Sequence, residues 1–363
     1  MARLGDYVSI KTGKLDANAA NENGLYPFFT CSVKPLTINT YHYDCECVLV
    51  AGNGDLNVKY YNGKFDTYQR TYIIESNDKE VLSVPYLYYF LDKYVETLRK
   101  QSIGGVIKYI KLGNLTEAQI PLCSIEEQYE IVKTLEKVNG LITDRKEQLS
   151  KLDEVVKSRF IELFGDPVLN QYNWDVVTIG DIVTDVRYGT SRPATEGGKY
   201  SYLRMNNLTF DGHLDLSDLK YIDIPENEIE KCIVRKGDVL FNRTNSIELV
   251  GKTCVFDLEE DMVIAGYIIR VRLNEKVLPI VLSSYMNSTV LKEQLRSMAK
   301  GAVNQANINA QELQSIKIYL PPLDLQNEFV TFVEQTDKLK FEVKEALEKL
   351  EILKKSLMQQ YFG

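Results

Sequence analysis

Two short basic stretches carry the side chains best placed for chemistry. Residues 187–210, RYGTSRPATEGGKYSYLRMNNLTF, hold Arg187, Arg192, Lys199 and Arg204 against one acid, Glu196, with Tyr188, Tyr200, Asn206 and Asn207 between them. Residues 99–111 hold Arg99, Lys100, Lys108 and Lys111 and no acid. Asn242-Arg243-Thr244 follows a strand-like run and Asn304-Gln305 follows a glycine, positions from which side chains project off a rigid frame. Lys and Arg neutralise phosphates, while Arg, Asn and Gln also reach base edges. The matching patches in the two halves of the chain point to DNA over solvated loops.

Catalytic patterns are missing. Gly251-Lys252-Thr253 has the tail of a phosphate-binding loop, but Ser246 stands where the first glycine belongs. Neither the Asn-Pro-Pro-aromatic stretch of adenine methyltransferases nor a glycine-rich cofactor loop is present. Glu342-Val343-Lys344 has the Glu-x-Lys spacing of some nucleases, yet sits in a helical heptad without a supporting aspartate. The six cysteines, Cys31, Cys45, Cys47, Cys123, Cys232 and Cys254, form no Cys-x2-Cys pair, and His42 and His213 lie far apart. They read as reduced thiols, with no metal and no catalytic residue expected.

The frame for these side chains is a duplication. Residues 124–165 align without a gap on 322–363, sharing Gln128/Gln326, Glu130/Glu328, Glu136/Glu334, Leu149/Leu347, Leu152/Leu350 and the closing Phe164-Gly165/Phe362-Gly363. In the first copy Ile131, Leu135, Val138, Ile142, Leu149, Leu152 and Val156 alternate four and three apart, a seam that pairs with another helix. The second copy retains Val343, Leu347, Leu350 and Leu357, with Lys340 and Lys354 in place of apolar residues. Ser124-x-x-Glu127 is a capping box, Pro321-Pro322 opens the second copy, and Gly165 stops the first. About 38 helical residues make a rod of about 57 Å.

The segments before the rods repeat more weakly. LGDYVSIKTGK (4–14) resembles IGDIVTDVRYGTS (179–191), ECVLVAGNG (46–54) resembles GDVLFNRTN (237–245), and LRKQSIGGVIKYI (98–110) resembles LRSMAKGAVNQANI (295–308). Runs such as CVLVAG, TYIIES, DVLFNRT and GYIIRVRL read as strands, with helices at about 84–101 and 279–299. The predicted class is α+β: globules at 1–121 and 166–320, each followed by a long helix, at 122–165 and 321–363. Residues 166–178 read as a linker with Trp174 as a packing anchor. A net charge of −8 excludes coating of nucleic acid by bulk attraction. No apolar run reaches membrane-span length and no leader opens the chain, so a cytoplasmic protein without membrane contact is expected.

IPLCSIEEQYEIVKTLEKVNGLI and IYLPPLDLQNEFVTFVEQTDKL at the rod entries, GDVLFNRT, VGKTCVF and GYIIRVRL in the second globule, and Phe-Gly at both rod ends resemble the DNA-specificity subunit of type I restriction-modification enzymes. The first rod departs from the usual double proline with Pro121-Leu122-Cys123-Ser124. The resemblance implies two target-recognition domains that each read half of a split double-stranded DNA site, with the two long helices paired as an antiparallel coiled coil of approximate twofold symmetry as spacer. It implies two modification subunits using S-adenosylmethionine, restriction subunits using ATP and magnesium, and no catalysis by this chain. A rod of this length would limit half-site centres to about 17 base pairs apart, one helical turn placing both readers on one face. DNA contacts are expected from Lys14, Asn53, Lys108, Tyr109 and Lys111 in the first half. In the second they are expected from Tyr188, Arg192, Lys199, Arg204, Asn242, Arg243, Thr244, Asn304 and Gln305. Two further readings stay open: a specificity subunit serving a fused nuclease-methylase, and a coiled-coil scaffold with two protein-binding modules.

Overall fold

The computed structural model describes residues 1–167, 169–299 and 306–363. The helices that position the candidate residues are α1 (Val84–Gln101), α2 (Ile125–Phe164), α3 (Pro279–Met286), α4 (Thr289–Met298) and α5 (Leu323–Phe362). The chain divides into two compact units, Met1–Glu147 with Val343–Gly363, and Gln148–Glu342. Each unit therefore takes part of both long helices, α2 and α5, of 40 residues each.

The first unit is a six-stranded sheet in the order 8–12, 71–76, 43–51, 58–67, 26–29, 36–38. Neighbours are antiparallel except 26–29 with 58–67, which is parallel. Val48 and Val50 alternate with Cys47 and Leu49 and all four are buried, so this central strand is covered on both faces. Helix α1 packs over strands 43–51 and 58–67. Ser83 caps it by accepting from the Tyr86 N–H, and Leu87, Phe90, Leu91, Val95 and Leu98 line its buried side at helical spacing. Ile131, Val132 and Leu135 of α2 and Met358 and Phe362 of α5 complete this core.

The second unit repeats the strand order with its two long strands broken. One sheet runs 183–188, 268–273, 239–242, 253–255, and the other 220–222, 200–203, 262–264, 233–234. Strand 43–51 of the first unit thus corresponds to 233–234 plus 239–242, and 58–67 to 253–255 plus 262–264. Gly237, at φ +90°, turns the chain between the first two pieces. One contact is the same in both units. A Cβ on Gly13 would lie 2.3 Å from the Thr67 carbonyl oxygen, and one on Gly189 would lie 2.1 Å from that of Ile264, so only glycine lets these strand ends meet.

Two sequence expectations are corrected. The helix expected over 279–299 is two helices, because Asn287 ends α3 and the Ser288 hydroxyl caps α4 by accepting from the Leu291 N–H. The segment read as a linker is partly sheet: Asp175–Thr178 pairs antiparallel with Lys317–Leu320. Trp174 packs as expected, donating its indole N–H to the Phe164 carbonyl at 2.9 Å and so capping the end of α2.

Each unit also holds a paired segment of the long helices. In the second, the Lys340 ammonium reaches the Asp153 carboxylate at 2.7 Å and Arg159 bonds Glu328, so α2 ascends as α5 descends. This explains a lysine in the seam: Lys340 is buried but carries its counterion. In the first unit Lys146 meets Glu351 at 3.1 Å. Of the seam residues read from sequence, Ile131, Leu135, Val138 and Val343 are buried, whereas Ile142, Leu149, Leu152, Val156, Leu347, Leu350 and Leu357 are half-buried.

Candidate nucleic-acid interface

Corresponding edges of the two units carry the candidate residues, and the same backbone bonds build both. In the second unit the Arg243 N–H donates to the Tyr267 carbonyl at 3.0 Å, and the Ile308 N–H donates to the Arg243 carbonyl at 2.9 Å. In the first unit the Ile110 N–H donates to the Gly52 carbonyl at 2.9 Å. Asn53 bridges Tyr109 as Thr244 pairs Asn307. Gly52 therefore stands where Arg243 does, and a Cβ there would sit 2.3 Å from the Arg70 carbonyl oxygen. The two edges share a frame but cannot carry the same reader.

Arg243 is the central cation of the second edge. Its guanidinium lies 4.8 Å from the centroid of the Tyr188 ring, and its buried Nε has no hydrogen-bond partner among the described residues. Tyr188 is itself fixed, its hydroxyl accepting from the Ala310 N–H at 2.8 Å. A guanidinium held on an aromatic face by a half-buried arginine presents its outer N–H donors in a fixed plane. Tyr267, half exposed, and exposed Asn307 border it.

Asn242 and Thr244, expected as contacts, are buried and spent on the frame. The Asn242 amide donates to the Thr244 and Tyr267 carbonyls at 3.2 and 3.1 Å and accepts from Asn245 at 2.8 Å. The Thr244 hydroxyl donates to the Asn307 side chain at 3.1 Å. Alternation along the strand turns both inward and leaves Arg243 outward.

The other cations are engaged to different degrees. Arg192 forms a two-pronged pair with Glu228 at 2.7 and 3.0 Å, and Arg204 bonds the Asp218 carboxylate at 2.7 Å. These hydrogen bonds hold the Glu228 and Asp218 carboxyls below their ordinary range. Lys199 is exposed, its ammonium 5.1 Å from the Tyr200 ring centroid. Asn304 and Gln305 lie outside the described residues.

On the first edge Lys14, Lys108, Tyr109 and Lys111 are exposed and Asn53 is half-buried. The Gly54 N–H donates to the Lys108 carbonyl at 2.9 Å, so the loop 102–110 is tied to the turn that carries Asn53. Leu15 bridges Tyr68, which sets Lys14 beside the turn bearing exposed Arg70. Arg70 escaped sequence reasoning; its place in the short turn between the strands 58–67 and 71–76 was the available signal.

Among the described residues no helix is long and apolar enough to cross a membrane, and no group of three or more His, Cys, Asp or Glu side chains could hold a metal ion. The six cysteines are free.

Duplicated units of one topology, each joined to paired segments of two 40-residue helices, define a tandem-domain protein with a helical hairpin. The family described as type I restriction modification DNA specificity domain matches residues 1–152 and 171–353, and the chain belongs to that family. It is 27% identical over 406 residues to the type I restriction enzyme EcoDI specificity subunit of Escherichia coli, across 99% of this chain and 86% of that protein. It is 24% identical over 289 residues to the EcoKI specificity subunit of E. coli strain K12, across 74% and 62%. The fold is similar to the S subunit of the type I restriction-modification system of M. genitalium, with a TM-score of 0.61, 17% identity and coverage of 100% and 95%. A chain from work on assembly and conformational transition of the type I system gives a TM-score of 0.60, with 19% identity over 99% and 96%. The resemblance read from the rod entries and the strand motifs holds over nearly the whole chain.

Proposed function

We propose that this chain reads a split double-stranded DNA target, one part with each unit, as the non-catalytic specificity subunit of a type I restriction-modification enzyme. Two modification subunits and the restriction subunits would dock on it, bringing S-adenosylmethionine, ATP and magnesium with them. The observation that carries the reading is Arg243, held over the Tyr188 ring at one edge, while the corresponding edge of the first unit holds Gly52. Family membership supports DNA as the ligand, and the unlike residues at like places support two different half-sites.

Phosphate can take over the cations that now hold carboxylates. The carboxylates of the Arg192–Glu228 and Arg204–Asp218 pairs are exposed, so water screens both pairs and each contributes little stability. A DNA backbone that exchanges for Glu228 or Asp218 loses little. Lys14, Lys108, Lys111 and Lys199 are the expected phosphate contacts of the two edges.

Methylated adenines mapped by sequencing test the function directly. In cells that express the modification partner, deleting this gene is expected to erase one split methylation pattern, and an unchanged pattern refutes the reading. Exchanging residues 166–320 for a relative's domain is expected to change one half of the pattern alone. Arg243→Ala is expected to weaken binding to that target about 10- to 100-fold, from the ~1–3 kcal/mol a two-pronged base contact contributes. Filter binding at fixed salt measures it. Arg243→Lys should restore little, since an ammonium lacks the planar fork.

A further inference from the structure

We propose that the first unit reads its half-site with an apolar wedge, Val106 and Ile107, inserted at a pyrimidine–purine step of the duplex. This rests on the DNA-reading function above. Val106 is fully exposed and Ile107 is exposed, at the tip of the loop 102–109. Two adjacent aliphatic side chains at a tip gain nothing for a folded chain in water, so their place implies an apolar partner.

The tip is built stiff. The Ile103 N–H donates to the Tyr109 carbonyl at 3.0 Å and the Tyr109 N–H returns the bond to Ile103 at 2.9 Å, closing the loop at its base. Gly104, at φ +118°, lets the chain turn where a Cβ would meet the Ile107 carbonyl oxygen at 2.5 Å. The Tyr72 hydroxyl donates to the Ile110 carbonyl at 3.2 Å and the Gly54 N–H to that of Lys108, tying the loop to the sheet. A wedge must keep its shape while it parts stacked bases, and this loop is anchored at its base.

Charge selects the partner. Lys100, Lys108 and Lys111 flank the tip and are exposed, and the nearby acid, Asp55, is held by Arg99 at 3.3 Å. An apolar point in a cationic collar suits stacked bases between phosphates; a protein groove would have to be acidic. The first edge also needs such a device, because Gly52 replaces the arginine reader and its Cβ position is filled. Specificity can come instead from the ease of unstacking, which is greatest at pyrimidine–purine steps.

The test uses the complex of this chain with its modification subunits, at saturating concentration, on the duplex found by methylation mapping. Each adenine of the first half-site is replaced in turn by 2-aminopurine, whose fluorescence rises when it is unstacked. One step away from the methylated adenine is expected to brighten with the wild-type chain and with Ile107→Leu. The Val106→Ser/Ile107→Ser double variant should lose that signal, keep the one at the methylated adenine, and bind about 10-fold or more weakly. Unchanged thermal unfolding shows that the variant folds. Equal brightening with wild type and double variant overturns the wedge while leaving the function intact. Normal DNA binding by the variant with loss of the modification subunits in gel filtration also overturns it, in favour of a protein contact. Failure of the wild-type complex to bind the duplex overturns both proposals.

Discussion

Gln326→Leu is expected to lower the unfolding free energy by about 3–5 kcal/mol, and Gln128→Leu by a similar amount. Each glutamine is fully buried in the first turns of a long helix, and each makes the same three bonds. The Gln128 side-chain oxygen accepts from the Ser83 N–H at 2.9 Å, while its amide donates to the Val81 and Cys123 carbonyls at 2.8 and 3.0 Å. Gln326 accepts from the Leu278 N–H at 2.9 Å and donates to the Lys276 and Pro321 carbonyls at 3.0 and 2.8 Å. One side chain thus satisfies a free N–H at the start of α1 or α3 and fastens it to the segment entering the rod. Leucine keeps the volume and orphans three buried backbone groups at about 1–3 kcal/mol each, partly relieved by water. Urea unfolding measures the loss, and hydrogen exchange at the Ser83 or Leu278 amide locates it. A loss below about 1 kcal/mol would mean that the clamp is dispensable.

That pair of glutamines shows where sequence reasoning stops. Their identity in the two aligned copies was plain, but two of the three partners of each are backbone groups 45 to 50 residues upstream, which leave no mark on side-chain patterns. The same holds for Phe164 and Phe362. The repeat showed a shared ending; packing of Phe164 against Phe329 at 5.3 Å and of Phe362 against Tyr86 at 5.1 Å gives the reason. The strands were legible because buried apolar runs rich in β-branched residues, such as Val48–Val50 and Ile268–Ile269, leave few other solutions. The break between α3 and α4 left its signal in Asn287-Ser288, residues that favour caps and turns, and a single helix over 279–299 passed over it.

At the candidate site the triplet Asn242-Arg243-Thr244 was legible as a unit, yet its members have opposite orientations. One outward residue flanked by two inward ones follows from alternation, but the phase depends on which face of the sheet is buried. Arg192 and Arg204 were legible as cations; their carboxylate partners Glu228 and Asp218 lie 36 and 14 residues away and could not be paired from spacing.

Lys292 is a further residue that sequence reasoning passed over, and it sets the last expectation: Lys292→Met should stabilise the chain at neutral pH. The ammonium is buried with no carboxylate bonded to it among the described residues, donating to the Gly251 carbonyl at 2.6 Å, 5.5 Å from the Phe210 ring centroid. Burial, then the positive charges of Arg296 and Lys252, push its pKa down from 10.5 to about 7. Burial lowers Lys252 as well, its ammonium donating to the Met205 carbonyl at 2.6 Å. Below about pH 7 Lys292 is charged in both folded and unfolded chains, so the full cost of burying it is present. Between about 7 and 10.5 the folded chain has released a proton that the unfolded chain retains, so this group makes stability rise with pH. The shift corresponds to at most about 5 kcal/mol. Methionine removes the charge and fills a similar volume beside Phe210, at the loss of one hydrogen bond to a carbonyl. Urea unfolding at about pH 7 and about pH 9.5 is expected to show a gain of a few kcal/mol at the lower pH that shrinks at the higher. A variant less stable than wild type at about pH 7 would mean that the bond to Gly251 outweighs the buried charge.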